Sequence, residues 1–258
     1  MRSGAPPDVA HEIAQEIGRQ ISPSVQAREI YRRAKKLLRK FSHASGMKYS
    51  VKKALFSLGP SGYPFEKYFA KILSHYGYDV ETGRIVKGYC VNHEVDVIAR
   101  NNDTSSVIEC KYHSDAGIPT DVKTALYVHA RVMDIQKNTD LAQGENMPIR
   151  EGWLVTNTRC TTDAIKYAEC AGLKIVSWRY PEKGSLERLI EDKRLYPVTI
   201  LHSLRRNMLD TLFKEDIILA QDIADMDEEV FSRRSGLDLQ TVRVLKKEAD
   251  TVCPCSIP

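Results

Sequence analysis

The sequence lacks any long hydrophobic run. No segment approaches the roughly 18 apolar residues that a membrane-spanning helix requires, so we expect no membrane partner. The opening residues, MRSGAPPDVAHEI, contain no apolar stretch typical of a secretory signal, which favours a cytoplasmic protein. The six cysteines include no CxxC pair and offer no complete set of four zinc ligands, so we expect reduced thiols.

The chain as a whole also has little net charge. Thirty-eight Lys and Arg stand against 34 Asp and Glu, a net charge of +4. The excess is confined to residues 1–57, which carry 12 basic and 4 acidic residues, whereas residues 58–196 carry 18 and 19 and residues 197–258 carry 8 and 11. A general electrostatic argument for DNA binding therefore fails for the middle of the chain, and any such argument must be local.

The order of helical and extended patterns predicts three parts. Residues 1–57 contain two amphipathic helices, at about 8–21 and from Ser22–Pro23 to Phe41, and the second has a strongly basic face. Residues 197–258 read as short helices only. Residues 58–196 alternate between the two kinds of element, which favours an α/β fold with a mixed sheet between helix layers. The predicted elements there are a helix at 64–76, strands at 78–86, 90–100 and 106–112, a helix at 120–137, a strand at 152–156, a helix at 161–171 and a strand at 174–178.

The second and third predicted strands carry the most informative charges. Asp96 lies on the second strand, and the third ends in Ile108-Glu109-Cys110-Lys111. Alternation along a strand places Glu109 and Lys111 on the same face. A turn centred near residue 103 would set Asp96 across from Cys110, beside those two side chains. Glu66, near the start of the preceding helix, is a fourth candidate for the cluster.

These residue types together suit phosphodiester hydrolysis. Two neighbouring carboxylates repel each other unless a cation lies between them, and Mg²⁺ prefers such oxygen ligands. A metal held by Asp96 and Glu109 would bind phosphate and activate water, while Lys111 would orient that water or stabilise charge on phosphorus. The alternative is an exposed ion pair, since Glu-x-Lys tripeptides are common. The apolar strand, the Asp-bearing strand and the Glu-bearing helix together favour the catalytic interpretation.

Several segments resemble the Mrr-type restriction endonuclease domain of the PD-(D/E)XK nuclease superfamily. The resemblance covers roughly residues 60–180. It is carried by Phe65-Glu66-Lys67, by Gly77-Tyr78-Asp79-Val80, by Glu94 to Ala99, by Ile108 to Lys111, by Gly152 to Asn157, by Asp163 to Ala168 and by Gly172 to Trp178. One departure is that Val95, not Pro, precedes Asp96.

This resemblance implies an α/β/α sandwich and a DNA endonuclease that depends on Mg²⁺, with Mn²⁺ as a possible substitute. It implies catalytic roles for Asp96, Glu109 and Lys111, with Glu66 as the acid from the helix, and metal binding by Asp96 and Glu109. Arg159, at the end of a strand, and Lys123, at the start of a helix, are weaker candidates for DNA contact.

The two flanks resemble other modules. Residues 8–57 resemble the later helices of an ATP-cone, through Ala10 to Ala14 and Ile30 to Leu38, which raises ATP or dATP as an effector. The opening β segment of that domain has no counterpart before Asp8, so a docking hairpin or a phosphate-binding basic face are alternatives. Residues 203–253 resemble tandem helix-hairpin-helix motifs, in which Gly236 would lie at a DNA-contacting hairpin. That segment is net acidic, so packing or dimerisation are equal alternatives.

Three functions are consistent with the sequence. The leading one is a Mg²⁺-dependent DNA endonuclease of restriction or DNA-processing type. The second is a nucleotide-responsive, DNA-binding regulatory protein that uses a nuclease fold without cutting, and the third is a structure-specific repair or junction nuclease. A single site cuts one strand, so cleavage of both strands would require a homodimer or two successive events.

Overall fold

The computed structural model describes residues 5–22, 24–48, 50–101, 104–138 and 149–253. Within these ranges no helix combines the length and apolar character needed to cross a membrane. The elements are α1 (Pro7–Gln20), α2 (Ala27–Phe41), α3 (His43–Lys48), α4 (Val51–Leu55), α5 (Tyr63–His75), β1 (Asp79–Lys87), β2 (Asn92–Arg100), β3 (Ser105–Lys111), α6 (Val122–Gln136), β4 (Ile149–Thr156), α7 (Thr162–Ala171), β5 (Lys174–Val176), α8 (Leu186–Lys193), a 3₁₀ turn (Val198–Ile200), α9 (Arg206–Lys214), α10 (Ala220–Ala224), α11 (Glu228–Ser235) and α12 (Leu239–Val252).

The described residues fall into two compact units. One contains residues 56–195, and the other combines residues 1–55 with residues 196–258. The division at 57/58 and 196/197 into three parts stays a prediction, but the first and last parts of the chain belong to the same unit here. The mixed α/β architecture with helical flanks agrees with the expected fold class.

The unit of residues 56–195 is built on a five-stranded mixed sheet. Its strand order follows the sequence, β1-β2-β3-β4-β5. The first three strands pair antiparallel, and β3, β4 and β5 pair parallel. Antiparallel strands need only short turns, whereas the parallel pairs require the crossover helices α6 and α7. The carboxyl ends of β3 and β4 therefore lie at the same end of the sheet.

Apolar spacing explains how the helices pack on this sheet. α5 contacts β1, β2 and β3, and its Phe65, Tyr68, Phe69 and Ile72 are completely buried. A second apolar cluster joins α6 and α7 to the sheet, with members from α6, α7 and strands β2 to β5. Its buried residues are Val95, Ile98, Val107, Ala125, Val128, Val132, Ile135, Leu154, Cys160, Ala164, Ala168, Leu173 and Ile175. The 3–4 spacing of its α6 members gives that helix one apolar stripe.

Helix boundaries follow local capping chemistry. The Asp121 carboxylate accepts a hydrogen bond from the backbone N–H of Thr124, which begins α6. Gly172 ends α7 in the left-handed conformation, with φ of 71°. The second helix begins at Ala27 rather than at the predicted Ser22–Pro23, because the carbonyl of Gln26 accepts the first helical hydrogen bonds. Pro23 itself lies outside the described residues.

In the unit of residues 1–55 and 196–258, every element of the described residues is a helix. α2 packs against α1 and α3, and α12 packs against α3, α10 and α11. The apolar side of α2 is buried at Ala34 and Leu38, whereas Arg28, Arg32, Lys36, Arg39 and Lys40 are exposed. α2 therefore has the basic face that its sequence predicts.

Candidate active site

The β2–β3 hairpin brings two acidic side chains to the same level. Val97 pairs with Ile108, which sets Asp96 level with Glu109 rather than with Cys110 as predicted. The shift arises at the turn, where the Asn101 side chain accepts hydrogen bonds from Thr104 and the pairing resumes at Arg100–Ser105. Residues level with each other on paired strands point to the same face. The observed register therefore places the carboxylates of Asp96 and Glu109 closer together than the predicted register would.

One oxygen of Asp96 is fixed by the backbone. The N–H of Cys110 donates to Asp96 Oδ2 over 2.7 Å. This bond lowers the pKa of Asp96, but burial is the larger effect and leaves that pKa raised overall. Asp96 is thus a half-buried carboxylate with a defined orientation and a second oxygen that the backbone bond does not use.

Glu109 is the more strongly perturbed acid. Burial raises its pKa to about 7, and the neighbouring charge of Asp96 contributes to the rise. The cations of Arg131 and Lys111 act in the opposite direction. Lys111, which is exposed at the end of β3, also lowers the pKa of Asp96. The predicted Asp, Glu and Lys side chains therefore interact electrostatically as one cluster.

Glu66 joins this cluster from the first turn of α5. Burial raises its pKa to about 7, and the charges of Asp96, Glu109 and Glu94 add to the effect. With that pKa, the carboxyl group exchanges a proton near neutral pH. All four predicted catalytic residues thus come together at one end of the sheet.

Tyr112 ties the start of α5 to the end of β3. Its hydroxyl donates to the carbonyl of Phe56 over 2.9 Å and accepts from the N–H of Gly59 over 3.1 Å. Its ring also lies 5.9 Å from that of Phe65. A Cβ at Gly59 would overlap the Tyr112 ring, so only glycine permits this approach. These contacts fix the segment that leads into Glu66 against the strand that carries Glu109 and Lys111.

The donor set at Asp96 and Glu109 suits a hard cation. Both side chains offer carboxylate oxygens, and their mutual repulsion would be relieved by Mg²⁺. In the described part of the chain, no three His, Cys, Asp or Glu side chains converge closely enough to hold a metal ion together. A cation held by Asp96 and Glu109 would take its remaining ligands from water or phosphate, which is usual for Mg²⁺.

The predicted DNA contacts lie in two places. Arg159 is exposed after β4, and its carbonyl accepts from the N–H of Thr120 over 2.9 Å, just before α6. Lys123 is exposed in the first turn of α6, so both cations lie near the end of the sheet that carries Lys111. Gly236 belongs to the other compact unit, where it ends α11 with φ of 69°. DNA contact at these three positions stays a prediction.

Sequence reasoning missed Arg131 on α6. Its guanidinium donates to Glu109 Oε2 and to the hydroxyl of Tyr127. The available signal was its spacing, because Arg131 follows the buried Val128 by three residues and precedes the buried Ile135 by four. A cation within an apolar helical stripe must find a partner in the sheet below.

Comparison with known proteins agrees with this architecture. Residues 59–180 match the family model described as restriction endonuclease, and residues 196–253 match the model described as AF1548-like, C-terminal. An uncharacterized protein from Archaeoglobus fulgidus is 37% identical over 183 residues, which are 71% of this chain and 98% of that protein. The chain belongs to the AF1548-like family.

Two solved structures are also similar to this AF1548-like protein. The crystal structure of AF1548, a protein of unknown function, has a TM-score of 0.64 and 34% identity, covering 76% of this chain and all of that one. MspJI restriction endonuclease in complex with a 27-mer oligonucleotide has a TM-score of 0.39 and 12% identity, covering 76% of this chain and 39% of that one.

The family match confirms the restriction endonuclease part of the sequence-based resemblance. It spans the acidic cluster, which consists of Glu66, Asp96 and Glu109, and the neighbouring Lys111. The resemblances of residues 8–57 to an ATP-cone and of residues 203–253 to helix-hairpin-helix motifs stay predictions.

Proposed function

We propose that this AF1548-like protein is a Mg²⁺-dependent DNA endonuclease that hydrolyses phosphodiester bonds, in restriction or in DNA processing. The observation that carries the proposal is the pair of half-buried carboxylates, Asp96 and Glu109, beside Lys111 in a restriction endonuclease domain. Buried like charges are costly and are found chiefly where function requires them.

Asp96 and Glu109 would hold the metal, with Mn²⁺ able to replace Mg²⁺. When bound, the cation would supply Lewis-acid stabilisation of the negative charge that develops on the phosphate. Asp96 is suited to this role because the Cys110 amide fixes its orientation. A ligand held in advance loses little freedom when the cation and the substrate arrive.

Lys111 and Glu66 would act on the substrate. The Lys111 ammonium interacts electrostatically with both carboxylates, so it would stabilise charge on the scissile phosphate and orient the attacking water. Glu66, with a pKa of about 7, would take up or release a proton during hydrolysis near neutral pH.

Plasmid cleavage with purified full-length protein and Mg²⁺ tests this assignment. We expect Asp96→Ala and Lys111→Ala each to reduce cleavage by about 100-fold or more, the usual effect of removing one such electrostatic group. Asp163→Ala and Lys166→Ala, at exposed positions of α7, are the matched controls and should retain full activity. Undiminished cleavage by the Asp96 and Lys111 variants would refute the assignment.

A second candidate function is a nucleotide-responsive, DNA-binding regulator that does not cut. It is favoured by a groove of about 520 Å³ beside α1 and α2, where four cations outnumber two acids. Its charged lining residues are Arg32, Arg33, Lys36, Lys40, Glu16 and Glu29. This function predicts binding of ATP, dATP or DNA that weakens with salt, without metal-dependent turnover. Equilibrium dialysis with ATP and dATP, run beside the cleavage assay, separates the two functions.

The substrate class within the nuclease proposal needs its own assay. Junctions, flaps, plain duplexes and methylated duplexes should be compared under the same conditions. A preference for junctions or flaps would favour a repair nuclease over a restriction enzyme. Sedimentation of the protein with and without DNA tests whether cleavage of both strands uses a homodimer.

A further inference from the structure

Arg131 is the cation most closely engaged with the acidic cluster. Its side chain is only 13% exposed. One terminal nitrogen donates to Glu109 Oε2 and to the carbonyl of Glu94, the latter over 2.9 Å. The other donates to the Tyr127 hydroxyl, and the guanidinium lies 4.7 Å from the centre of the Tyr127 ring. α6 thus delivers a positive charge directly onto a proposed metal ligand.

The position of Arg131 leaves one of its hydrogen-bonding groups unused. Its Nε is buried and has no hydrogen-bond partner among the residues that the structure describes. An unpaired buried donor is unfavourable, so this pose does not satisfy every hydrogen-bonding group of the arginine. A guanidinium that moved to a phosphate would gain a partner with two parallel acceptors, which its planar fork fits well.

A guanidinium and a divalent cation on the same carboxylate repel each other. Glu109 Oε2 is already bonded to Arg131, whereas the Asp96 contact to Cys110 comes from the backbone and carries no opposing charge. A divalent cation at Asp96 and Glu109 would repel the adjacent guanidinium at close range and compete for that oxygen. Metal binding and the Arg131–Glu109 ion pair therefore oppose each other.

We propose that Arg131 is a positioning residue paired with Glu109, and that a divalent metal at Asp96 and Glu109 displaces it toward the phosphodiester. The inference rests on the proposed function, because it requires the metal site at Asp96 and Glu109. The proposal implies an order of events. Metal binding releases the Arg131 guanidinium, and the released guanidinium then attracts the DNA backbone.

Metal binding without DNA tests the competition. Mn²⁺ binding to the full chain is measured by electron paramagnetic resonance, comparing wild type with Arg131→Gln. We expect Arg131→Gln to bind Mn²⁺ about tenfold more tightly, since one charged hydrogen bond no longer opposes the metal. Arg131→Lys, which keeps the charge and loses the planar fork, should show a smaller gain and guards against misfolding of the glutamine variant. Unchanged or weaker binding in both variants would overturn the proposal.

The structure offers a matched control for this substitution. Arg100 forms a similar ion pair with Glu81 on the same sheet and its side chain is 20% exposed. Its Nε likewise has no partner within the described part of the chain. Arg100→Gln should leave Mn²⁺ affinity unchanged. The gain from Arg131→Gln should also vanish in a Glu109→Gln background. A gain that persists there would show a general charge effect and would refute displacement from Glu109.

DNA binding tests the release step. In a Lys111→Ala background, which prevents cleavage, Arg131→Gln should reduce DNA affinity about tenfold with Mn²⁺ and leave it unchanged with EDTA. An equal loss under both conditions would contradict release by metal. If wild type binds Mn²⁺ through Asp96 but Arg131→Gln gains nothing, only this inference fails. If no variant binds Mn²⁺, the metal-dependent function fails with it.

Discussion

Replacing Glu66 with glutamine is expected to stabilise the protein at pH 8 and to leave its stability nearly unchanged at pH 4.5. Burial and three neighbouring acids raise the pKa of Glu66 from 4.5 to about 7 in the folded protein. Between these values the folded state binds more protons than the unfolded state, so stability falls as the pH rises. Above pH 7 the whole penalty is present, and the neutral amide of glutamine avoids it.

The size of the effect follows from the pKa difference. A rise from 4.5 to about 7 corresponds to about 3 kcal/mol at about 1.4 kcal/mol per pKa unit. Glu66 is only half-buried, and solvent screening reduces the expected gain to about 1–2 kcal/mol. Removal of this proposed catalytic acid should therefore make the protein more stable, which is common where function places like charges together.

Urea unfolding at pH 4.5 and pH 8 measures the effect. Glu81→Gln is the control, because the hydrogen bond from Arg100 lowers the pKa of Glu81 and its stabilising contribution is lost only as the pH falls below about 4.5. That variant should lose stability at pH 8, the opposite sign to Glu66→Gln. The proposed charge repulsion would be refuted if Glu66→Gln destabilised the protein at pH 8. It would also be refuted if the substitution changed the free energy of unfolding equally at both pH values.

Three further predictions concern the same molecule. Tyr112→Phe removes the partner of two backbone groups and should cost about 1–2 kcal/mol in urea unfolding while lowering cleavage; full activity would contradict its positioning role. Mg²⁺ at 100 times its Kd should stabilise wild type by about 2.7 kcal/mol, seen as a higher melting temperature, and should not stabilise Asp96→Ala; equal stabilisation would place the metal elsewhere. Lys36→Gln combined with Lys40→Gln should reduce the salt dependence of DNA binding by about 2 in log–log slope, and an unchanged slope would exclude this face from DNA contact.

Much of the candidate site was predictable because its signals are local. Glu109 and Lys111 are two residues apart at the end of an apolar strand and therefore share one face. Asp96 lies within hairpin distance of them. Strand alternation and a short turn are sufficient to bring such residues together without knowledge of the rest of the fold. The helical stripes of α5 and α6 were predictable for the same reason, since each repeats every three to four residues.

The missed features depend on contacts between distant segments. The register of β2 and β3 differs by one residue from the prediction, because the Asn101 side chain closes the turn at Thr104. Arg131 is separated from Glu109 by 22 residues, and the local sequence pattern of α6 does not indicate which residue it contacts. The role of Tyr112 could not be predicted either, because its hydroxyl contacts residues 53 and 56 positions earlier in the chain.

The two outer strands of the sheet affect how copies of this protein would associate. A sheet grows between molecules when an outer strand offers a long, uncharged row of free backbone groups. β5 contains only three residues, and β1 is lined by the charges of Glu81, Arg84 and Lys87. Neither outer strand is suited to pairing with a second molecule. A homodimer that cuts both DNA strands would therefore have to join through side chains rather than through a continuous intermolecular sheet.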